Sequence, residues 1–290
     1  MKKLFLAFLI ICFMTPVSVG DAFMTPDKAA ESVQKIVEGK ASPWAVRDPR
    51  VKVKPKPIIA KQQFKKANEQ RSIVDNPVPS AEQPPKFVDL RKFDSPIKNQ
   101  GEFGYCTAFA NVAVIENYAN QKGVKLDLSE RYLWSLYQEY DTYVATQAAV
   151  SNLIIPEKDW PYNSDKATVK GYKKNGVAGL KAYTEIQAVD QAIKALDQNK
   201  PIVFAAETTP YWGSPNKGVI PIKGAEEGGH AIAIVGYYLD PSNEATGGGF
   251  FIFKNSWGPD WGDKGYGYLP FKYCKKYSCY LIETDGPVLK

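Results

Sequence analysis

Apolar residues between Tyr105 and Gln121 recur at helical spacing. Ala108, Val112, Ile115 and Ala119 form one stripe, flanked by Phe109 and Ala113. Gly123 suits the stop of that helix. The pattern predicts a second helix over Leu128–Tyr140, capped by Ser129 or Asp127, and further helices over Val144–Leu153 and Val189–Leu196. Beyond residue 200 the pattern changes to short apolar runs split by Gly, Pro and Asn. These predict strands at Ile202–Ala206, Ala231–Tyr238, Gly249–Lys254, Gly265–Pro270 and Tyr280–Glu283. A helical half followed by a β half is an α+β pattern, and it predicts two lobes with a cleft between them.

The first 85 residues differ. Lys2 and Lys3 precede an apolar run from Leu4 to Met14, and Thr15–Gly20 ends in small residues suited to a cut before Asp21. Residues 1–20 therefore read as a secretory signal, and the product as secreted or periplasmic. Residues 21–85 hold one short helix candidate, with Thr25 as its cap and Pro26 at its first position. A basic, proline-punctuated stretch follows and ends in Pro77, Pro79, Pro84 and Pro85. This segment is too polar to bury a core and reads as a pro-segment or linker. Residues 86–290 form the globular domain.

Of 290 residues, 44% are hydrophobic and 23% charged, which excludes a disordered chain, a collagen and a multi-span membrane protein. The net charge of +6 invites a nucleic acid or membrane partner. It resides wholly upstream, however: residues 86–290 hold 23 basic and 23 acidic side chains. We therefore expect no nucleic-acid partner, and no stable membrane insertion once the signal is removed. One histidine, His230, and few cysteines leave no ligand set for a metal, and no cofactor is expected. After signal removal Cys106, Cys274 and Cys279 remain. Cys274 and Cys279, with four residues between them and strand-like runs on either side, could close a short hairpin loop as a disulfide, leaving Cys106 as the free thiol.

Cys106 follows a glycine-punctuated loop, Asn99-Gln100-Gly101-Glu102-Phe103-Gly104-Tyr105, and falls in the first turn of the first predicted helix. Unpaired N–H groups and the helix dipole favour a thiolate there. The same N–H groups, with the Gln100 amide, can face a developing oxyanion. His230 opens a near-continuous apolar strand, and Asn255 follows the next one. If those strands are neighbours, Asn255 can fix one ring nitrogen of His230, and Trp257 can shield that bond. Plainer roles fit each of these residues singly: a packed cysteine, a structural histidine, a core tryptophan.

Together, three blocks resemble the papain-like cysteine peptidases, in that family's order of Cys, His and Asn. They are Pro96–Ala110, His230–Tyr237 and Lys254-Asn255-Ser256-Trp257-Gly258 through Gly267. Leu128-Ser129-Glu130-Arg131, Trp160-Pro161-Tyr162 and Val88-Asp89-Leu90-Arg91 resemble further landmarks. The resemblance implies a papain-like two-lobe fold, with a helical N-terminal lobe, an antiparallel β-barrel-like C-terminal lobe and the active site in the cleft. It implies Cys106 as nucleophile, His230 as base and then acid, Asn255 as orienter, and Gln100 with the Cys106 N–H as oxyanion hole. The resting pair is expected as thiolate and imidazolium. Gly229, Ala231 and Trp257 are expected to border bound substrate. The implied activity is that of an exported thiol endopeptidase, made as a precursor and monomeric, acting on polypeptides. Two rivals are a transferase or amidase using the same chemistry on another acyl group, and a non-catalytic peptide-binding homologue. The chain departs from the family in having Phe103 where a disulfide cysteine is common and Thr107 where tryptophan is common. It also lacks a paired-glycine strand between Tyr140 and Trp160.

Overall fold

The computed structural model describes residues 59–60, 86–162 and 176–290. The expected signal, the Thr25 helix and the proline-rich linker lie outside the described residues. Among the described residues there are five α-helices in chain order: α1 (Cys106–Gln121), α2 (Glu130–Tyr137), α3 (Thr142–Ser151), α4 (Val189–Asp197) and the single turn α5 (Tyr273–Lys276). Ser129 caps α2 by accepting from the Tyr132 N–H, and Asp141 caps α3 by accepting from Tyr143 and Val144.

Ten strands are described: β1 (Ile59–Ala60), β2 (Lys86–Asp89), β3 (Ala178–Gly179), β4 (Ala182–Ile186), β5 (Ile202–Thr208), β6 (Gly228–Leu239), β7 (Gly249–Lys254), β8 (Tyr266–Pro270), β9 (Cys279–Asp285) and β10 (Val288–Leu289). The main sheet is antiparallel in the order β4-β9-β5-β6-β7-β8, and β10 pairs separately with β3. The two ends of this sheet, β4 and β8, do not pair, so the expected barrel-like lobe is an open sheet. Mixed helix and antiparallel sheet otherwise match the expected α+β class. The expected Cys274–Cys279 hairpin loop is instead the α5 turn, and the two cysteines are joined as a disulfide with Cα atoms 5.4 Å apart.

Strand β6 organises the molecule. Residues 228–234 pair with β5, and residues 233–239 pair with β7 on the opposite edge. The irregularity at Val235 lets β2 take over the first edge: Leu90 N–H donates to Val235 O, and Val88 pairs with Tyr237. Gly236 permits this approach, because a Cβ there would lie 2.3 Å from Val88 O. The edge that β7 leaves at the other end is taken by β1, which pairs Ile59 with Gly229 and Ala60 with Gly228. Ile59 and Ala60 thus lie along β6 beside His230.

Helix α1 packs against β6. The sequence stripe under-reads it, since every residue from Cys106 to Ala119 is buried. A helix apolar on all sides would do this simply; here polar positions are buried because partners wait for them. Asn117 Nδ2 donates to Leu90 O and Asp94, and Glu116 accepts from the Leu128 N–H.

Candidate active site

Each side of the site is positioned by a different kind of structure. On the helix side, Gly101 takes a left-handed φ of +62°, and the loop turns into α1 without a side-chain cap. That puts Cys106 at the first helical residue, fully buried. On the sheet side, Ala233 of β6 lies opposite Lys254 of β7. Asn255, one residue beyond, therefore comes alongside His230.

His230 Nε2 lies 2.8 Å from Asn255 Oδ1. The same oxygen accepts from the Ser256 N–H at 2.8 Å, which only the oxygen end of the amide can do. This fixes the amide orientation and makes Nε2–H the donor. In the neutral ring the other nitrogen, Nδ1, is then the acceptor. The Trp257 ring lies over His230, with centroids 4.3 Å apart and planes tilted by 31°. Trp212 meets His230 edge-on at 6.1 Å. Asn255 and His230 are both buried, so their hydrogen bond is kept from water.

The thiol meets the sheet through Ala231, whose backbone hydrogen-bonds to Cys106 and which follows His230 directly. Burial pushes the Cys106 thiol up to about 12; hydrogen bonds from the backbone of Ala231, Thr107 and Cys106 itself pull it down only in part. Burial thus works against the expected resting thiolate, while the helix N-terminus works for it.

Gln100 is fully buried and held at four points. Its Nε2 donates to Phe103 O at 2.8 Å, and its Oε1 accepts from Ser256 Oγ. Its N–H donates to Ser256 O at 2.8 Å, and its carbonyl accepts from Tyr162 Oη at 2.7 Å. Its NH₂ end is thereby turned toward the loop that leads into Cys106. Ser256 couples this glutamine to Asn255; its role was not read from the sequence, though it lies beside the orienting asparagine. Of the expected substrate contacts, Trp257 is half-buried over His230. Gly229 is buried and paired on both edges, with Glu207 and Ile59. Ala231 lines a cavity of about 20 Å³ together with Asn255 and Ser256.

That cavity also touches an ion cluster that the sequence reading passed over. Lys98 Nζ lies 3.1 Å from Glu116, 2.8 Å from Glu130 and 2.8 Å from Asp127. Lys254 Nζ reaches Ser95 O and Oγ, both at 2.8 Å, and Ser95 Oγ donates to Glu116. Burial raises the Glu130 carboxyl, and Lys98 pulls it back. The cluster ties the pre-cysteine loop to α1, α2 and the end of β7. Among the described residues no group of His, Cys, Asp and Glu could hold a metal ion.

A family model described as papain family cysteine protease matches residues 84–283. The chain belongs to that family. Ananain of Ananas comosus is 30% identical over 192 residues, covering 63% of this chain and 54% of that protein. Pro-cathepsin H of Bos taurus is 29% identical over 201 residues, covering 63% and 58%. The chain thus spans a little over half the length of these relatives. Among solved structures, the bromelain protease of Ananas comosus in complex with the E64 inhibitor aligns with a TM-score of 0.55 at 24% identity, covering 69% of this chain and 99% of that one. Digestive procathepsin L 3 of Tenebrio molitor aligns at 0.59 and 20% identity, covering 90% and 88%. At these identities the structures show the papain-family fold alone. The departures from the family also have a structural reading. Thr107 Oγ1 pairs with Tyr137 Oη at 2.7 Å, and Phe103 sits in an aromatic stack rather than a disulfide.

Proposed function

We propose that the chain is an exported cysteine endopeptidase made as a latent precursor. The observation that carries the reading is the His230–Asn255 hydrogen bond under Trp257, with Cys106 at the head of α1 beside Ala231. In the reaction, His230 Nδ1 takes the thiol proton and the sulfur attacks a peptide carbonyl carbon. The Gln100 amide and the Cys106 N–H stabilise the resulting oxyanion. The C–N bond breaks, and the amine leaves with the proton from His230. Water, deprotonated by His230, then hydrolyses the thioester and restores the thiol.

Latency rests on burial. Cys106, Gln100 and His230 have no exposed surface, and β1 occupies the β6 edge beside His230. A covered thiol pushed up to about 12 is a poor nucleophile at neutral pH. Removing the upstream segment restores water, lowers the desolvation cost and makes the ion pair accessible. The segment 21–85 is thus a guard, and residues 1–20 an export signal acting before it. No described helix is long and apolar enough to cross a membrane. Polypeptides are the substrates, and the enzyme works as a monomer.

Cleavage of an unfolded protein by the purified full chain, before and after removal of its upstream residues, tests both parts. Hydrolysis should appear on removal and vanish in Cys106→Ala with the fold intact. Undiminished hydrolysis in Cys106→Ala would sink the mechanism. Equal rates before and after removal would sink latency.

A further inference from the structure

The loop that delivers Cys106 carries an aromatic surface that the reaction does not use. Phe103 is 53% exposed, the most exposed large hydrophobic side chain among the described residues. A single exposed phenylalanine needs no explanation. This one, however, is the outer member of a built stack. Its ring lies on Tyr105, with centroids 5.4 Å apart and planes 17° from parallel, and Tyr105 lies on Trp134 at 4.2 Å and 22°. Tyr162 braces both Phe103 and Tyr105 edge-on, at 6.3 and 6.1 Å. Arg131 holds the Tyr105 hydroxyl at 2.6 Å. Tyr140 fills the space beside Gly104, where a Cβ would come within 3.0 Å of its ring.

The stack is joined to the chemistry through main chain. Phe103 O accepts from the Gln100 amide, and Tyr162 Oη donates to Gln100 O. Phe103 thus belongs to the loop that holds the Gln100 amide, three residues before Cys106. Where the family commonly places a disulfide cysteine, this chain presents Phe103.

We propose that Phe103, backed by Tyr105 and braced by Tyr162, forms a specificity subsite. It selects polypeptides carrying an aromatic side chain next to the scissile bond. The proposal rests on the peptidase reading above and names its substrate class. Stacked or edge-on aromatic pairs favour such a side chain over alanine by roughly three- to tenfold beyond the gain from simple burial.

The test is a cleavage profile on paired peptides that differ only in Phe or Ala at each position flanking the scissile bond. It uses active enzyme obtained from the full chain, as wild type, Phe103→Ser and Phe103→Trp. The readout is the ratio of kcat/KM between paired peptides, which cancels any common effect of the loop on Gln100. Wild type should favour Phe over Ala by about tenfold at one position. Phe103→Ser should bring that ratio close to one, and Phe103→Trp should restore it. A wild-type ratio near one, or an unchanged ratio in Phe103→Ser, overturns the subsite while leaving the peptidase reading standing. No cleavage of any peptide overturns the peptidase reading and the subsite with it.

Discussion

The two sides of the site are held by different forces. His230 and Asn255 sit on adjacent strands, in a register set by backbone hydrogen bonds, and their one polar contact is roofed by Trp257. Cys106 opens α1, and Gln100 sits on the preceding loop, which meets the sheet side only through the short Asn99–Trp257 bridge. Side chains do most of the holding there: the Lys98–Glu116–Glu130 cluster, the Ser256 bridge and the aromatic stack. A ladder tolerates the loss of one side chain. A buried charge cluster does not, because removing one partner strands the others without water. The sheet side should therefore fail in chemistry when mutated, and the helix side in stability.

His230→Ala gives the largest expected effect. Activity should fall by about 10³-fold or more, while the melting temperature drops by only a few degrees. Collapse of the fold instead would show the sheet side to be as fragile as the loop. Lys98→Met comes next. It leaves Glu116 and Glu130 buried without their cation and should cost about 3 kcal/mol of stability, reduced somewhat by the partial exposure of Lys98. Chemical denaturation reads this directly, and a loss under 1 kcal/mol would erase the contrast between the two regions.

The smallest expected effect is one of pH. Burial raises Asp94 to about 6, despite Lys254, Asn117 and Tyr266 favouring its charged form, and it raises Glu130 as well. An acid raised in the folded state contributes stability below its unfolded value near 4, and that contribution is lost as pH rises through about 6. Between pH 5 and pH 8 the melting temperature should therefore fall by a few degrees. Asp94→Asn should flatten the slope, and a melting temperature that rises over this range would contradict it.

The same contrast governs what could be read from the sequence. The sheet side was legible because β6 and β7 announce themselves as apolar runs, and their adjacency places Asn255 on His230. The start of α1 at Cys106 was legible from the glycine loop. The full burial of α1 was not: Asn111, Glu116 and Asn117 look like a solvent face until their partners are known. The Lys98–Glu116–Glu130 cluster joins residues far apart in sequence, which no local pattern reveals. Strand β4 was missed because it is an edge strand, half exposed along most of its length. The antiparallel, barrel-like lobe was legible as a run of strands, but not that it stays open, with β4 and β8 at its two ends unpaired. Burial, which opposes the expected thiolate, is a property of the whole fold and could not be read from the helix terminus that suggested it.

The covalent step at Cys106 is the most direct point at which to test the proposed reaction. Active enzyme mixed with an activated peptide ester, quenched in acid and mapped by mass spectrometry, should carry the acyl group on Cys106 alone. His230→Ala should slow its formation by about 10³-fold or more. An acyl group on another residue, or turnover of the ester with no adduct in wild type and undiminished rate in Cys106→Ala, would contradict it.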